Sequence, residues 1–112
     1  MGFIGFSILR SDSMGIYREF ELKKLINELI RKEKFTISYL SNDMGTLETD
    51  DGIEINIKLE DNWINLYFYK EIKVKDIRIL IKANDKISLR EVNIFEKVKK
   101  RINGILDVIR NL

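Results

Sequence analysis

The feature that most constrains the fold is a strict alternation of apolar and polar residues in the middle of the chain. Over residues 53–60, every second residue is Ile or Leu and the residues between them are polar. After the dipeptide Asp61-Asn62 the alternation resumes, with Ile64, Leu66 and Phe68 as its apolar series. A period of two residues is typical of strands that bury one face and expose the other. Because a two-residue connection leaves no room for a crossover helix, the two strands are predicted to pair antiparallel.

Further strand signals lie on both sides of this pair. Residues 35–39 alternate in the same way, and Asp51-Gly52 suits a tight hairpin because glycine accepts a positive φ. Near Lys75-Asp76 the phase of the alternation shifts, so a bulge or short turn is predicted there. The sequence therefore predicts an antiparallel meander of four to five strands, and the apolar residues 3–9 are interpreted as an additional strand.

Helical periodicity marks both ends of the chain. Over residues 15–34, apolar residues recur at intervals of three and four, and Ser13 is predicted to cap this helix. Towards the C-terminus a turn is expected at residues 84–86, followed by a capping box formed by Ser88 and Glu91. The helix after it carries an apolar seam, which consists of Phe95, Val98, Ile102, Ile105, Ile109 and Leu112.

These elements predict an α+β fold in a single domain over residues 1–112, a length that suits one core. Its parts are an N-terminal helix, the antiparallel meander, and a long C-terminal amphipathic helix packed on the sheet. The side chains predicted to form the core are Phe20, Leu25, Leu29, Ile37, Ile55, Ile57, Ile64, Leu66, Phe68, Ile79, Phe95, Val98, Ile102 and Ile105.

The C-terminal seam has two interpretations. It packs on the chain's own sheet, as amphipathic helices of globular domains do, or it forms a helix–helix homodimer. The dimer would be made through Phe95, Val98, Ile102, Ile105 and Ile109. Because the seam spans fewer than three heptads, such a dimer would need the rest of the domain to support it.

The composition disfavours catalysis, because the chain contains no histidine and no cysteine. It therefore lacks the residue that most often transfers protons near neutral pH and the thiol nucleophile. It also has no glycine-rich phosphate loop and no Gly-x-Ser-x-Gly elbow. The chain is predicted not to be an enzyme and to use no cofactor.

Charge is distributed unevenly along the chain. Residues 43–61 contain seven acidic residues and one basic residue, whereas residues 62–112 contain twelve basic and six acidic residues. Asp50, Asp51 and Glu54 are close in sequence, but the calcium-loop pattern is absent and strand alternation separates neighbours, so no metal site is predicted.

The favoured hypothesis is therefore a protein-binding module of the inhibitor or immunity type, whose acidic hairpin engages a basic partner surface. The residues assigned to this contact are Glu48, Asp50, Asp51, Glu54 and the aromatic Tyr39. Acidic side chains would steer the association and the aromatic ring would anchor it.

The alternative is a single-stranded nucleic-acid-binding domain that works as a homodimer. Aromatic rings that stack on bases, beside cations that neutralise phosphates, are the usual ingredients of such a surface. The residues assigned to it are Trp63, Tyr67, Tyr69, Lys58, Lys70 and Arg78.

A cytoplasmic location without a membrane partner is expected. No apolar run reaches the roughly 18 residues that cross a bilayer, and the apolar start has neither a preceding basic segment nor a cleavage site after it.

Overall fold

The structure, a computed structural model, describes the backbone of residues 14–32 and 34–112 and the side chains of residues 22–31 and 34–112. The strand predicted over residues 3–9, the Ser13 cap and the Phe20 side chain lie outside these ranges. Over the described residues the chain forms two helices and a sheet of five strands, so the predicted α+β class is confirmed. The elements are α1 (Met14–Lys32), β1 (Phe35–Leu40), β2 (Met44–Thr49), β3 (Ile53–Glu60), β4 (Trp63–Val74), β5 (Ile77–Ser88) and α2 (Ile94–Arg110).

The sheet is antiparallel throughout and its strand order follows the chain, β1-β2-β3-β4-β5. The turns predicted at Asp51-Gly52 and Asp61-Asn62 connect neighbouring strands, and at Lys75-Asp76, where a bulge or a short turn is predicted, the chain makes a turn between β4 and β5. Gly52 has a φ of 85°, the left-handed region that glycine enters without a steric penalty. Each short turn returns the chain beside the strand it has just left, which is what produces the meander.

The core lies between one face of the sheet, here called the inner face, and the two described helices. Strand β3 contributes Ile53, Ile55 and Ile57, all 0% exposed, and the helices contribute apolar stripes from the other side. Those helical stripes are Leu22, Leu25, Ile26 and Leu29 from α1 and Val98, Ile102, Leu106 and Ile109 from α2. The alternation of β3 and β4 is therefore explained by burial on one side only.

The C-terminal seam contributes to this core. Val98, Ile102 and Ile109 are buried, and Phe95 and Ile105 are partly buried against them. A homodimer through these same side chains would require α2 to leave the sheet.

Two residues predicted to lie in the core are exposed instead. Ile37 on β1 is 38% exposed and Ile79 on β5 is 47% exposed. Both lie on the inner face, opposite Leu47 and Ile72 respectively, so the predicted side of the strand was correct. The prediction that both side chains are buried was wrong, because a side chain on the inner face is buried only where the helices cover it.

The start of α2 also differs from the prediction. Residues 84–86 are part of β5 and do not form a turn, and the helix begins at Ile94, after Asn93 in a left-handed conformation. Ser88 ends β5, where its Oγ accepts a hydrogen bond from the Arg90 amide at 3.2 Å. The Ser88–Glu91 motif therefore stabilises a turn, in which serine bonds to nearby backbone as it does at a cap.

Strands β4 and β5 extend well beyond the third strand. Pairing between β3 and β4 ends at Ile53 and Lys70, whereas β4 and β5 remain paired as far as Val74 and Ile77. Residues 71–80, here called the arm, are therefore a two-stranded hairpin that projects past the end of the sheet.

Candidate functional site

The face of the sheet opposite the core, here called the outer face, is the main candidate surface. Both described helices pack on the inner face, so no helix that the structure describes covers the outer one. Strand pairing arranges the outer-face side chains in rows that cross the strands. Three of these rows are Glu48–Glu54–Tyr69–Lys82, Tyr39–Thr46–Asn56–Tyr67–Asn84 and Lys58–Asn65–Lys86.

Glu48 and Glu54 form the acidic end of the first row. They are directly opposite each other on β2 and β3, and like charges in that position destabilise a sheet. Among the described residues, neither glutamate forms an ion pair. The Asn56 Nδ2 donates a hydrogen bond to Glu54 Oε2 at 3.3 Å, and Thr46 Oγ1 donates to Asn56 Oδ1 at 2.7 Å. These two hydrogen bonds therefore orient the Glu54 carboxylate but leave its negative charge unbalanced.

Asp51 has a different environment from these two glutamates. Its carboxylate accepts hydrogen bonds from Arg110 Nε at 2.8 Å and from Thr49 Oγ1 at 2.6 Å. These hydrogen bonds, with that of Arg110 the stronger influence, hold the pKa of Asp51 far below its ordinary value. Asp50 is exposed beside it in the β2–β3 turn. Asp51 therefore fixes the turn to the end of α2, and its charge is already balanced.

Aromatic side chains lie next to the acidic pair on the outer face. Tyr69 is directly opposite Glu54, and Tyr67 lies two residues away on the same side of β4. Both tyrosines are half-buried. Tyr39, which is 51% exposed, reaches the outer face because the pairing of β1 shifts by one residue at Ser38. Simple alternation had placed Tyr39 on the same face as Ile37, and a bulge of this kind leaves no clear signal in the sequence.

A basic corner lies at the opposite end of the outer face. The Lys86 ammonium group is 4.5 Å from the centroid of the Trp63 ring, a cation–π contact. Lys58 is on the neighbouring strand, opposite Asn65. Glu60 is directly opposite Trp63, so this corner also carries an acidic side chain.

The residues assigned to nucleic-acid binding do not all lie together. Trp63, Tyr67, Tyr69 and Lys58 are on the outer face. Lys70 is on the inner face, opposite Ile53, and Arg78 is on the arm, where it forms an ion pair with Glu71 at 3.6 Å.

The described structure has a small apolar cavity in the core and a larger open depression of about 530 Å³ on α1, which is lined by Lys23, Lys24, Asn27, Glu28 and Arg31. A cavity of about 10 Å³ lies between the helices and the β3–β4 end of the sheet, with Leu22, Leu59 and Phe95 in its apolar lining. That volume is at the lower limit for one water molecule. Within residues 14–32 and 34–112, no three acidic side chains are grouped as metal ligands, and neither described helix is long and apolar enough to cross a membrane.

Comparison with known proteins adds no family assignment. No protein-family model matches the chain, and no similar protein is found among curated proteins or solved structures. The outer face itself is therefore the basis for a functional assignment.

Proposed function

We propose that the outer face is a docking surface for another protein that presents basic residues, and that the chain acts by binding, without catalysis. Glu48 and Glu54 form the electrostatic centre of this surface, and Asp50 extends it at the turn. A small inhibitor or immunity-type protein that covers a basic site on its target is the class that this chemistry fits.

The observation that carries the proposal is the position of Glu48 opposite Glu54 on a face that no described helix covers. Such a pair costs stability in the free protein, and departures from the rules of stable packing are expected at functional sites. A basic side chain of a partner, placed between the two carboxylates, would turn the repulsion into attraction. The same negative potential would accelerate encounter with a cationic surface.

The tyrosines beside this pair supply the apolar part of the interface. Tyr69 and Tyr67 present rings with a hydroxyl group, a combination that is enriched at interface centres. Tyr39 lies in the same cross-strand row as Tyr67 and extends the surface to β1. Asp51 is left out of the contact because Arg110 already balances its charge.

Binding of single-stranded nucleic acid is the second candidate, favoured by the Lys86–Trp63 contact at the basic corner. Stacking of a base on Trp63 and Tyr67 would place phosphates near Lys58 and Lys86. Glu48 and Glu54 disfavour this candidate, because a nucleic-acid strand that continued along β4 would meet two carboxylates whose charges are not neutralised.

Two experiments separate these candidates. For nucleic acid, fluorescence anisotropy of a labelled single-stranded oligonucleotide at about 50 and 200 mM salt reports phosphate contacts through the salt dependence of affinity. We expect no binding at the lower salt concentration, and tight salt-sensitive binding would favour the second candidate.

For protein binding, the immobilised chain is compared with a Glu48→Gln/Glu54→Gln variant in extracts of its native cells. An Asp61→Asn/Asp107→Asn variant, with one substitution in the β3–β4 turn and one on α2, changes the net charge by the same amount and serves as the control. We expect a partner that the wild type and the control retain and that the Glu48/Glu54 variant loses. Identical sets of proteins from all three would contradict the proposal.

A further inference from the structure

The arm is a two-stranded hairpin with an uncovered apolar side. Its inner-face residues include Val74, Ile77 and Ile79, which are 50%, 64% and 47% exposed. A hairpin of two strands is marginally stable in water, and a third strand or a packed layer is needed to support it. No described strand pairs with the arm on either side, so the arm lacks this support within the described chain.

The outer edge of β5 is well formed for pairing with another strand. It runs for twelve residues at the edge of the sheet, and its register with β4 continues without a bulge. The chain contains no proline that would interrupt it. Natural edge strands are usually protected by a bulge, a proline or inward-pointing charges.

Only the half of β5 beyond the arm carries an inward-pointing charge, since Arg78 on the arm lies on the outer face. Asp85 points to the inner face and forms an ion pair with Arg101 of α2, which places a charged pair beside the edge. Along the arm, the inner-face residues of β5 are Ile77 and Ile79, with Ile81 at its base. The part of the edge without an inward-pointing charge therefore coincides with the part that lacks a third strand.

We propose that the arm pairs with the arm of a second copy of this chain, through antiparallel hydrogen bonding between the two β5 edges. The register is centred on Ile79, so that Ile79 is opposite Ile79 of the partner subunit. The product is a four-stranded sheet in the order β4-β5-β5-β4. This inference is independent of the docking surface proposed for the outer face.

The charges along β5 favour a second copy of this chain as the strand that pairs with the β5 edge. If the inner faces of the two arms lie on the same side, the two β5 strands can be aligned over many residues in four registers. These are centred on Arg78, Ile79, Leu80 or Ile81. A centre at Arg78 opposes that arginine to itself, and a centre at Leu80 opposes Arg78 to Lys82 of the partner subunit. A centre at Ile81 opposes Ile77 to the charged Asp85 of the partner subunit.

The register centred on Ile79 avoids all three conflicts. It pairs Ile77 with Ile81 of the partner subunit on the inner face and Arg78 with Leu80 of the partner subunit on the outer face. It also brings Asp76, in the turn that precedes β5, towards Lys82 of the partner subunit, so that unlike charges approach each other. Because the overlap covers only residues 76–82 of each chain, the two helical layers lie at opposite ends of the joined sheet and do not collide.

Oligomeric state gives the first test. Sedimentation velocity over a concentration series is expected to show a monomer–dimer equilibrium for the wild type. Ile79→Lys places a charge on the unprotected edge, and we expect it to give the monomer sedimentation coefficient at every concentration. Val108→Lys, at an exposed position of α2, is the control and should dimerise like the wild type. A wild-type chain that stays monomeric, or an Ile79→Lys variant that dimerises normally, would overturn the proposal.

Disulfide trapping tests the register, and the chain has no cysteine of its own to interfere. Directly opposed residues have Cα atoms about 4.5–5.5 Å apart, which a disulfide can bridge. Ile79→Cys is therefore expected to form a covalent dimer on mild oxidation. In Ile77→Cys the two thiols are four residues out of register, about 13 Å along the strand, so little dimer should form.

A mixture of Arg78→Cys and Leu80→Cys chains completes the register test. Edge pairing predicts a mixed disulfide between them on the outer face. Dimerisation with cross-linking at Ile79 but none between positions 78 and 80 would indicate that the arms stack face to face, and it would overturn edge pairing.

Discussion

The guanidinium group of Arg110 binds the carboxylate of Asp51 through two hydrogen bonds, from Nε at 2.8 Å and from a terminal nitrogen at 3.2 Å. These residues are 59 positions apart, and the contact fixes the end of α2 to the turn between β2 and β3. Planar, two-point contacts of this kind combine geometric specificity with charge. The acidic β2–β3 turn, which contains Asp50 and Asp51, therefore also contributes to the packing of α2 on the sheet.

Replacing Asp51 with Asn is expected to lower the free energy of unfolding by about 0.5–1 kcal/mol at pH 7, because the pair is partly exposed to solvent. The folded-state pKa of Asp51 lies below its ordinary value of 3.8. Its stabilisation is therefore present above pH 3.8 and is lost as the pH falls towards the folded-state pKa. Urea unfolding of both chains from pH 7 to pH 2 should show the difference shrinking below pH 3.8, whereas a constant difference would contradict this assignment.

Neutralising the Glu48–Glu54 pair is expected to stabilise the free protein. In Glu48→Gln/Glu54→Gln, removal of the cross-strand repulsion should raise the free energy of unfolding by about 0.2–1 kcal/mol. The gain should shrink at high salt, because exposed charges are screened. Chemical denaturation at low and high salt measures it, with Asp61→Asn/Asp107→Asn as the control. A loss of stability would mean that the two glutamates support the sheet.

Two glycines provide a test of packing between α1 and β2. A Cβ atom on Gly45 would overlap the Ile26 side chain, so Gly45→Ala should destabilise the fold by about 1–3 kcal/mol. Gly104 lies in α2 with no atom near the position of its missing Cβ, and Gly104→Ala should stabilise the helix by about 0.5–1 kcal/mol. Thermal unfolding of both variants measures the contrast, and equal effects would show that α1 does not approach β2 this closely.

The orientation of α2 can be tested with two alanine substitutions. Ile102 is fully buried, so Ile102→Ala should cost about 2–5 kcal/mol through lost burial and the cavity that remains. Val108 is 63% exposed, and Val108→Ala should change stability by less than about 0.5 kcal/mol. Urea unfolding compares them. A reversed order would mean that the other side of the helix faces the sheet.

Features encoded within a few residues could be predicted from the sequence. Alternation over residues 53–69 is local, so β3, β4 and the turn between them follow from it directly. The phase shift at Lys75-Asp76 predicts a bulge or a short turn there, and the structure has the turn. By contrast, β2 gave no clear alternation, because Gly45 occupies an inner-face position without a side chain.

Features that depend on tertiary context could not be predicted. Inner-face position was predicted for Ile79, but its exposure depends on where β3 ends beside β4. The bulge at Ser38 turns Tyr39 to the outer face, and no residue type there requires it. The Asp51–Arg110 contact joins distant parts of the sequence, so charge counting assigned Asp51 to the acidic surface without its balancing partner.

Site-specific photo-crosslinking on the outer face, carried out in the chain's native cells, tests the proposed function most directly. A photoreactive phenylalanine analogue replaces Tyr69, beside the Glu48–Glu54 pair, and in a separate control it replaces the exposed Asn103 of α2. We predict a protein adduct from position 69 that is lost in the Glu48→Gln/Glu54→Gln background and retained in the Asp61→Asn/Asp107→Asn background. A nuclease-sensitive adduct, or a protein adduct that forms equally from position 103 and survives loss of both glutamates, would contradict it.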